Sequence, residues 1–164
     1  MKRVVWISII ILLLFSVFGL WYWLTFRMMP AVEFELGDDS APQSLLIAYQ
    51  GSTYKHDVIE TVVTHFSAND LYIKAIDINQ LDQIKTTDWS AIFICHTWEI
   101  WQPPKAIEAF HSAHAGLDNC VYLTTSGDGG YHIKGVDAIT SASLLSDTKS
   151  DADSVIARID RLLL

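Results

Sequence analysis

A chain of 164 residues with 19 acidic against 11 basic residues and a formal charge of −8 has room for one ordinary domain and an appendage. Three of the basic residues, Lys2, Arg3 and Arg27, fall at the N-terminal end, so the rest sets 8 basic residues against all 19 acids and carries a formal −11. Such a surface repels phosphate backbones and excludes nucleic acid as a natural partner.

The first predicted element is the uncharged run from Val4 to Phe26, "VVWISIIILLLFSVFGLWYWLTF". As a helix it measures roughly 34 Å, against roughly 30 Å of hydrocarbon in a bilayer. A cleaved signal peptide shares the positive start at Lys2 and Arg3, but its apolar region is shorter and ends at a small-residue cleavage site, whereas Arg27, Met28, Met29 and Pro30 follow here. The run reads as an uncleaved anchor, residues 1–27, with Trp21, Tyr22 and Trp23 as an interfacial belt. Lys2, Arg3 and the free amine precede it, and only Arg27 closely follows. The expected topology is a single pass through the cytoplasmic membrane, N-terminus inside and domain in the periplasm or outside the cell.

Residues 28–43 hold four acids, two prolines and a glycine within "PAVEFELGDDSAPQ" and read as a linker, a tether holding the domain a short distance above the membrane. The domain itself is expected over residues 44–164. "SLLIAY" is a short apolar run ending at a glycine turn, and "HDVIETVVTHF" then places Val58, Val62, Val63 and Phe66 on one helical face. "LYIKAIDI" alternates as a strand does, and "DWSAIFICH" is a buried run. "PPKAIEAFHSAHA" begins at prolines and repeats apolar residues at helical spacing. "NCVYLTTSGDGG" is a fourth strand and loop, and "DADSVIARIDRLLL" a docked terminal helix with Val155, Ile159 and Leu162 or Leu163 inward. This alternation predicts an α/β three-layer sandwich: a parallel sheet of 4–5 strands with helices on both faces. Cys95 and Cys120 fall in separate strands at different heights, which favours two buried thiols over a bridge.

In open sheets of this kind ligands bind beyond the carboxyl ends of the strands. Three loops lie there. "YQGSTYKHD" offers a glycine and two hydroxyls at a helix start, a pattern that suits a phosphate or, equally, an ordinary N-cap. "HTWEIWQPP" brings Trp98 and Trp101 to a strand end, and "TTSGDGGYHIKG" is rich in donors and carries Tyr131. Together they suggest a planar ligand with a phosphate tail.

On these loops the chain resembles the flavodoxins from Leu45 to about Gly130, a likeness of loop order and not of one motif. The resemblance implies FMN, with Gly51, Ser52, Thr53, Tyr54 and His56 lining its phosphate. Thr97, Trp98 or Trp101 would meet the ring on one side, and Ser126, Gly127 and Tyr131 on the other. Two positions depart from the family pattern, since Lys55 and Asp57 stand where the phosphate loop has a second glycine and a final threonine. The residues after Gly130 are also too few for a full helix, strand and helix, so one crossover helix is expected to be short or missing.

"VDAITSAS", Val136 to Ser143, is similar to the attachment segment of covalently flavinylated extracytoplasmic proteins, with Ser143 as the matching acceptor. In that family a transferase joins the FMN phosphate to the hydroxyl. The same residues also read as a last strand with its hydroxyls toward the ligand, or as a non-covalent contact. His96, His111 and His114 lack a third ligand at suitable spacing, and no catalytic acid, base or nucleophile stands out. The resemblance therefore implies an FMN-binding electron carrier, or a flavin-dependent oxidoreductase, serving inner-membrane or periplasmic redox proteins. A cofactor-free binding or assembly module on the same fold is the alternative.

Overall fold

The apolar run at the N-terminus forms a single helix, α1 (Lys2–Phe26), in which the stretch Val5–Leu24 is long and apolar enough to cross a membrane and is not buried against the rest of the chain. The computed structural model describes residues 2–26 and 28–164; Arg27, which enters the orientation argument, lies outside the described residues, as does Met1.

The remaining elements, in chain order, are β1 (Phe34–Leu36), β2 (Gln43–Tyr49), α2 (Thr53–Phe66), β3 (Leu71–Asp77), β4 (Ala91–Thr97), α3 (Lys105–Ala113), β5 (Cys120–Thr125), β6 (Ala138–Ser141) and α4 (Thr148–Leu163). They build one six-stranded sheet in the order β1-β3-β2-β4-β5-β6, in which β2 to β6 run parallel and β1 lies antiparallel on the edge. Counting only the parallel strands, the order is 2-1-3-4-5, the flavodoxin-like winding.

Alternation along each strand sorts the core into two layers. Leu45, Ile47, Tyr49, Phe93 and Cys95 face one way, onto Val58, Val62 and Phe66 of α2 and Val155 and Ile159 of α4. Leu46, Ala48, Ile92 and Ile94 face the other, onto Ile107 and Phe110 of α3 and onto Ile78 and Leu81. Each such fully buried aliphatic or aromatic side chain contributes about 1.5–3 kcal/mol of burial free energy. Val63, expected on the inward face of α2, packs at the edge of its cluster. The cysteines are both free; Cys95 is buried and Cys120 only partly so.

Two crossovers lack an α-helix. Between β3 and β4 the chain makes only two short 3-10 turns, Ile78–Gln83 and Thr86–Asp88, and between β5 and β6 it forms a loop, which is the missing helix that the chain length predicts. The segment 28–43 does not hang free. Val32 exchanges both backbone hydrogen bonds with the Tyr49 hydroxyl (3.0 and 2.7 Å), the Ala31 N–H donates to Asp77 Oδ2 (2.9 Å), and β1 caps the β3 edge with Lys74 Nζ on Glu35 Oε1 at 2.7 Å.

Candidate functional site

Strand order reverses between β2 and β4, so the loops at their carboxyl ends, together with the one after β5, converge on a single rim. A cleft of about 870 Å³ lies there, lined among others by Gln50, Thr97, Trp98, Met28, Pro30 and Tyr22.

The loop after β2 is closed by the chain itself. Gly51 and Met29 exchange backbone hydrogen bonds, Gly51 N–H to Met29 O at 2.7 Å and Met29 N–H to Gly51 O at 3.1 Å. A β-carbon at Gly51 would collide with the Pro30 carbonyl oxygen, which explains why glycine stands there. The hydroxyl of Ser52 caps α2 by accepting from the Lys55 N–H at 3.3 Å. Tyr54 turns into the core, 4 % exposed, and its hydroxyl sits 3.2 Å from Ser141 Oγ and 2.5 Å from Asp151 Oδ2. The His56 ring packs edge-on against Tyr49, and in the loop Thr53 and Asp57 face solvent. Gly51, Ser52, Thr53, Tyr54 and His56 are therefore adjacent in sequence without converging on a common point.

Beneath this strap lies Lys55, 1 % exposed, whose ammonium donates to Thr97 Oγ1 at 2.6 Å and approaches Met28 Sδ at 3.4 Å. Burial pulls its pKa below the ordinary lysine value. Because the Thr125 hydroxyl donates its one proton to the His96 carbonyl at 3.3 Å, it accepts from the Thr97 hydroxyl at 2.7 Å, and Thr97 in turn accepts from Lys55. Gln50 bridges the same strands, accepting from the Thr97 N–H at 2.8 Å and donating to Glu99 Oε1 at 2.9 Å. These bonds tie α2, β4 and β5 into one rigid floor. His96 lies fully buried in it, with Nε2 3.1 Å from Thr124 Oγ1 and Nδ1 unpartnered among the described residues. Burial, then the Lys55 charge, pushes its pKa down to about 3.

The β4 loop carries the aromatic rings. Trp98 stacks on Tyr131, centroids 5.2 Å apart and planes 23° from parallel, and the indole Nε1 is buried without an acceptor among the described residues. Glu99 and Gln102 pair as a tight hairpin, so Ile100 and Trp101 form its tip with φ of 50° and 58°. Trp101 is 73 % exposed at this tip.

The donors of the β5 loop are spent on the loop itself. Asp128 Oδ1 accepts from Ser126 Oγ (2.9 Å) and the Gly130 N–H (3.0 Å), which holds its carboxyl below the usual aspartate range. The Tyr131 N–H donates to Ser126 Oγ at 3.4 Å, and Gly127 is exposed. β6 ends alongside: the Ser126 N–H donates to the Ser141 carbonyl at 3.0 Å. Ser143, two residues on, is partly exposed and holds a left-handed φ of 58°. The segment Val136–Ser143 thus contains β6 and ends in a strained turn, with Ser143 at the carboxyl edge of the sheet, two strands over from β4.

Among the described residues no group of three or more His, Cys, Asp or Glu side chains is placed to hold a metal ion. Met28, Met29, Gln50 and Lys55 shape the site most and were not expected to. Their signals in the sequence are faint: two methionines and a proline where a tether should be polar, and a lysine that spacing alone assigns to a solvent face.

No protein-family model and no curated protein matches the chain. Among solved structures it is similar to an oxidised flavodoxin 2 from Bacillus cereus (13 % identity, 72 % of this chain and 99 % of that one, TM-score 0.51) and to a flavodoxin from the domain Archaea (9 %, 74 % and 100 %, TM-score 0.50). A flavodiiron core from Synechocystis sp. PCC6803 is also similar (10 %, 76 % of this chain and 37 % of that one, TM-score 0.50). At these identities the likeness shows the flavodoxin-like fold.

Proposed function

We propose that the protein is a membrane-anchored, extracytoplasmic electron carrier of flavodoxin type that holds FMN at the rim beside Trp98, its phosphate esterified to Ser143 by a transferase through attack of the hydroxyl on the pyrophosphate of a flavin dinucleotide, with a nucleoside monophosphate leaving and the hydroxyl proton lost to solvent. The observation that carries this reading is the Trp98 indole N–H, buried without an acceptor on an aromatic rim at the switch point of this fold. A ligand carbonyl set edge-on, in the plane of the indole, satisfies that donor.

The fit divides along the cofactor. The rim suits the ring, but the loop after β2 does not suit a phosphate, because the Gly51 N–H is already bonded to Met29 and Tyr54 belongs to the core. A phosphate held covalently at Ser143 has no need of that cradle. Bound FMN supplies the one- and two-electron chemistry. The chain's own contribution is to border the ring with the Trp98 N–H, to hold the floor beneath it, and to surround the rim with the carboxylates of Glu99 and Asp128. Negative charge there disfavours accumulation of more, which lowers the potential for the second electron. An acidic domain also steers toward basic redox partners.

A second reading, a cofactor-free binding module, rests on the same geometry: Trp98 and Tyr131 stack directly on each other, and the strap fills the first loop. The visible spectrum separates the two. Flavin absorbance in the full-length protein supports the carrier, and a colourless protein that takes up no added FMN supports the module.

A further inference from the structure

The exposed apolar side chains outside α1 are unevenly placed. Of Met29, Val32, Leu36, Ile100, Trp101, Tyr131, Leu144, Leu145 and Leu164, six, all but Val32, Leu36 and Leu164, stand at the carboxyl ends of the strands. That edge is therefore the one with something apolar to meet.

The hairpin tip makes the point sharply. A two-residue turn with positive φ at both positions is the natural place for Asn-Gly, yet it holds Ile100 and Trp101, 86 % and 73 % exposed. A β-branched residue in this region is a steric outlier. Stability does not favour the pair, so its use lies in what it touches.

The chain itself says what is near. α1 ends at Phe26, and Met29 is bonded to Gly51 at the strand ends. Three residues reach no more than about 11 Å, so the Met29–Gly51 part of the rim stays within that distance of the end of the apolar helix whatever the tilt of the domain. Tyr22 of α1 lines one cleft with Trp98 and a smaller one, about 430 Å³, with Ile100 and Trp101. Tyr22 belongs to an aromatic group of the kind that settles at the membrane interface.

We infer that the Glu99–Gln102 hairpin tip and the Leu144–Leu145 segment dock into the lipid bilayer at its interface, so that the cleft beside Trp98 opens onto the membrane and not onto bulk water. The occupant of this rim is lipid. Ile100, Trp101, Leu144 and Leu145 enter the acyl boundary, while Glu99, Asp128 and Asp147 beside them remain at headgroup level, which suits a zwitterionic surface. This inference rests on the anchoring part of the proposed function and is independent of the flavin.

The test uses the full chain with Cys120→Ser, which leaves Cys95 fully buried, and single reporter cysteines at Ile100→Cys, Leu145→Cys or, on the opposite edge, Asp118→Cys. Each is labelled with an environment-sensitive fluorophore and reconstituted into phosphatidylcholine vesicles. Co-flotation is read first, and a chain that does not float overturns the anchor and the docking together. In chains that float, the expected result is that labels at 100 and 145 are quenched by nitroxide-bearing phosphatidylcholine and are severalfold less sensitive to aqueous iodide than the label at 118. Adding Ile100→Asn with Trp101→Gly, which suits the turn, should keep the fold and weaken lipid quenching at 145. Equal iodide quenching at all three sites overturns the inference. So does shielding from iodide without nitroxide quenching, as a second copy covering the rim would give.

Discussion

At the residue scale, two polar side chains that a surface reading would place in a binding loop are structural. Tyr54 clamps α2 to β6 and α4 through Ser141 and Asp151, and burial followed by the Asp151 bond raises its pKa. Tyr54→Phe removes both bonds and is expected to cost about 1–3 kcal/mol in urea denaturation while leaving any bound flavin unchanged; loss of flavin with full stability would place Tyr54 in the site instead. His96 titrates in the unfolded chain near 6.5 and in the folded one near 3. Between those values the unfolded state takes up a proton that the folded state refuses, so stability falls as pH falls, by up to roughly 1.4 kcal/mol per pH unit. His96→Asn should flatten the profile across that window, and parallel profiles for the two proteins would refute the assignment. Neither role is legible in the sequence, because "GSTYKH" and "CHT" show residue types but not which side of a helix or strand end they take.

At the element scale, the parallel strands and three helices of the domain were legible. "SLLIAY", "AIFICH" and "VYLTT" are apolar runs that only a strand covered on both faces can bury, and Ser52 before "TYKHDVIETVV" marks a helix start. β1 was not legible, since three residues, Phe34–Leu36, in an acidic segment carry no periodicity; what holds them is backbone pairing to β3. The Met29–Gly51 bridge is hidden for the same reason: backbone contacts leave only a glycine as their trace. The Glu99–Gln102 hairpin gives this scale its prediction. Ile100→Asn with Trp101→Gly relieves two left-handed residues and should raise stability by about 1–2 kcal/mol, read as an increase in the urea midpoint. An unchanged or lower midpoint would mean that the exposed pair packs in a way its exposure does not suggest.

At the scale of the whole molecule, the strand order, the strap and the short link from α1 act together. The fold gathers its loops at one end, and the strap ties that end within three residues of the apolar helix; under the proposed function that rim takes a planar ring, and under the inferred docking it lies beside the bilayer. On the proposed reading, an electron carrier so placed would exchange with partners in or on the membrane. The first loop is where this arrangement parts from the phosphate cradle that the sequence suggests, and attachment at Ser143 is how the proposed function accommodates the difference.

The most direct measurement is the visible spectrum of the full-length protein purified from its native membranes, before and after acid precipitation, with Ser143→Ala and Ser143→Thr beside it. Flavin colour that stays with the precipitate, is lost in Ser143→Ala and survives in Ser143→Thr is the expected result. Absence of colour in every fraction, even after added FMN, would contradict a flavin carrier; colour released into the supernatant would keep the carrier and contradict attachment at Ser143.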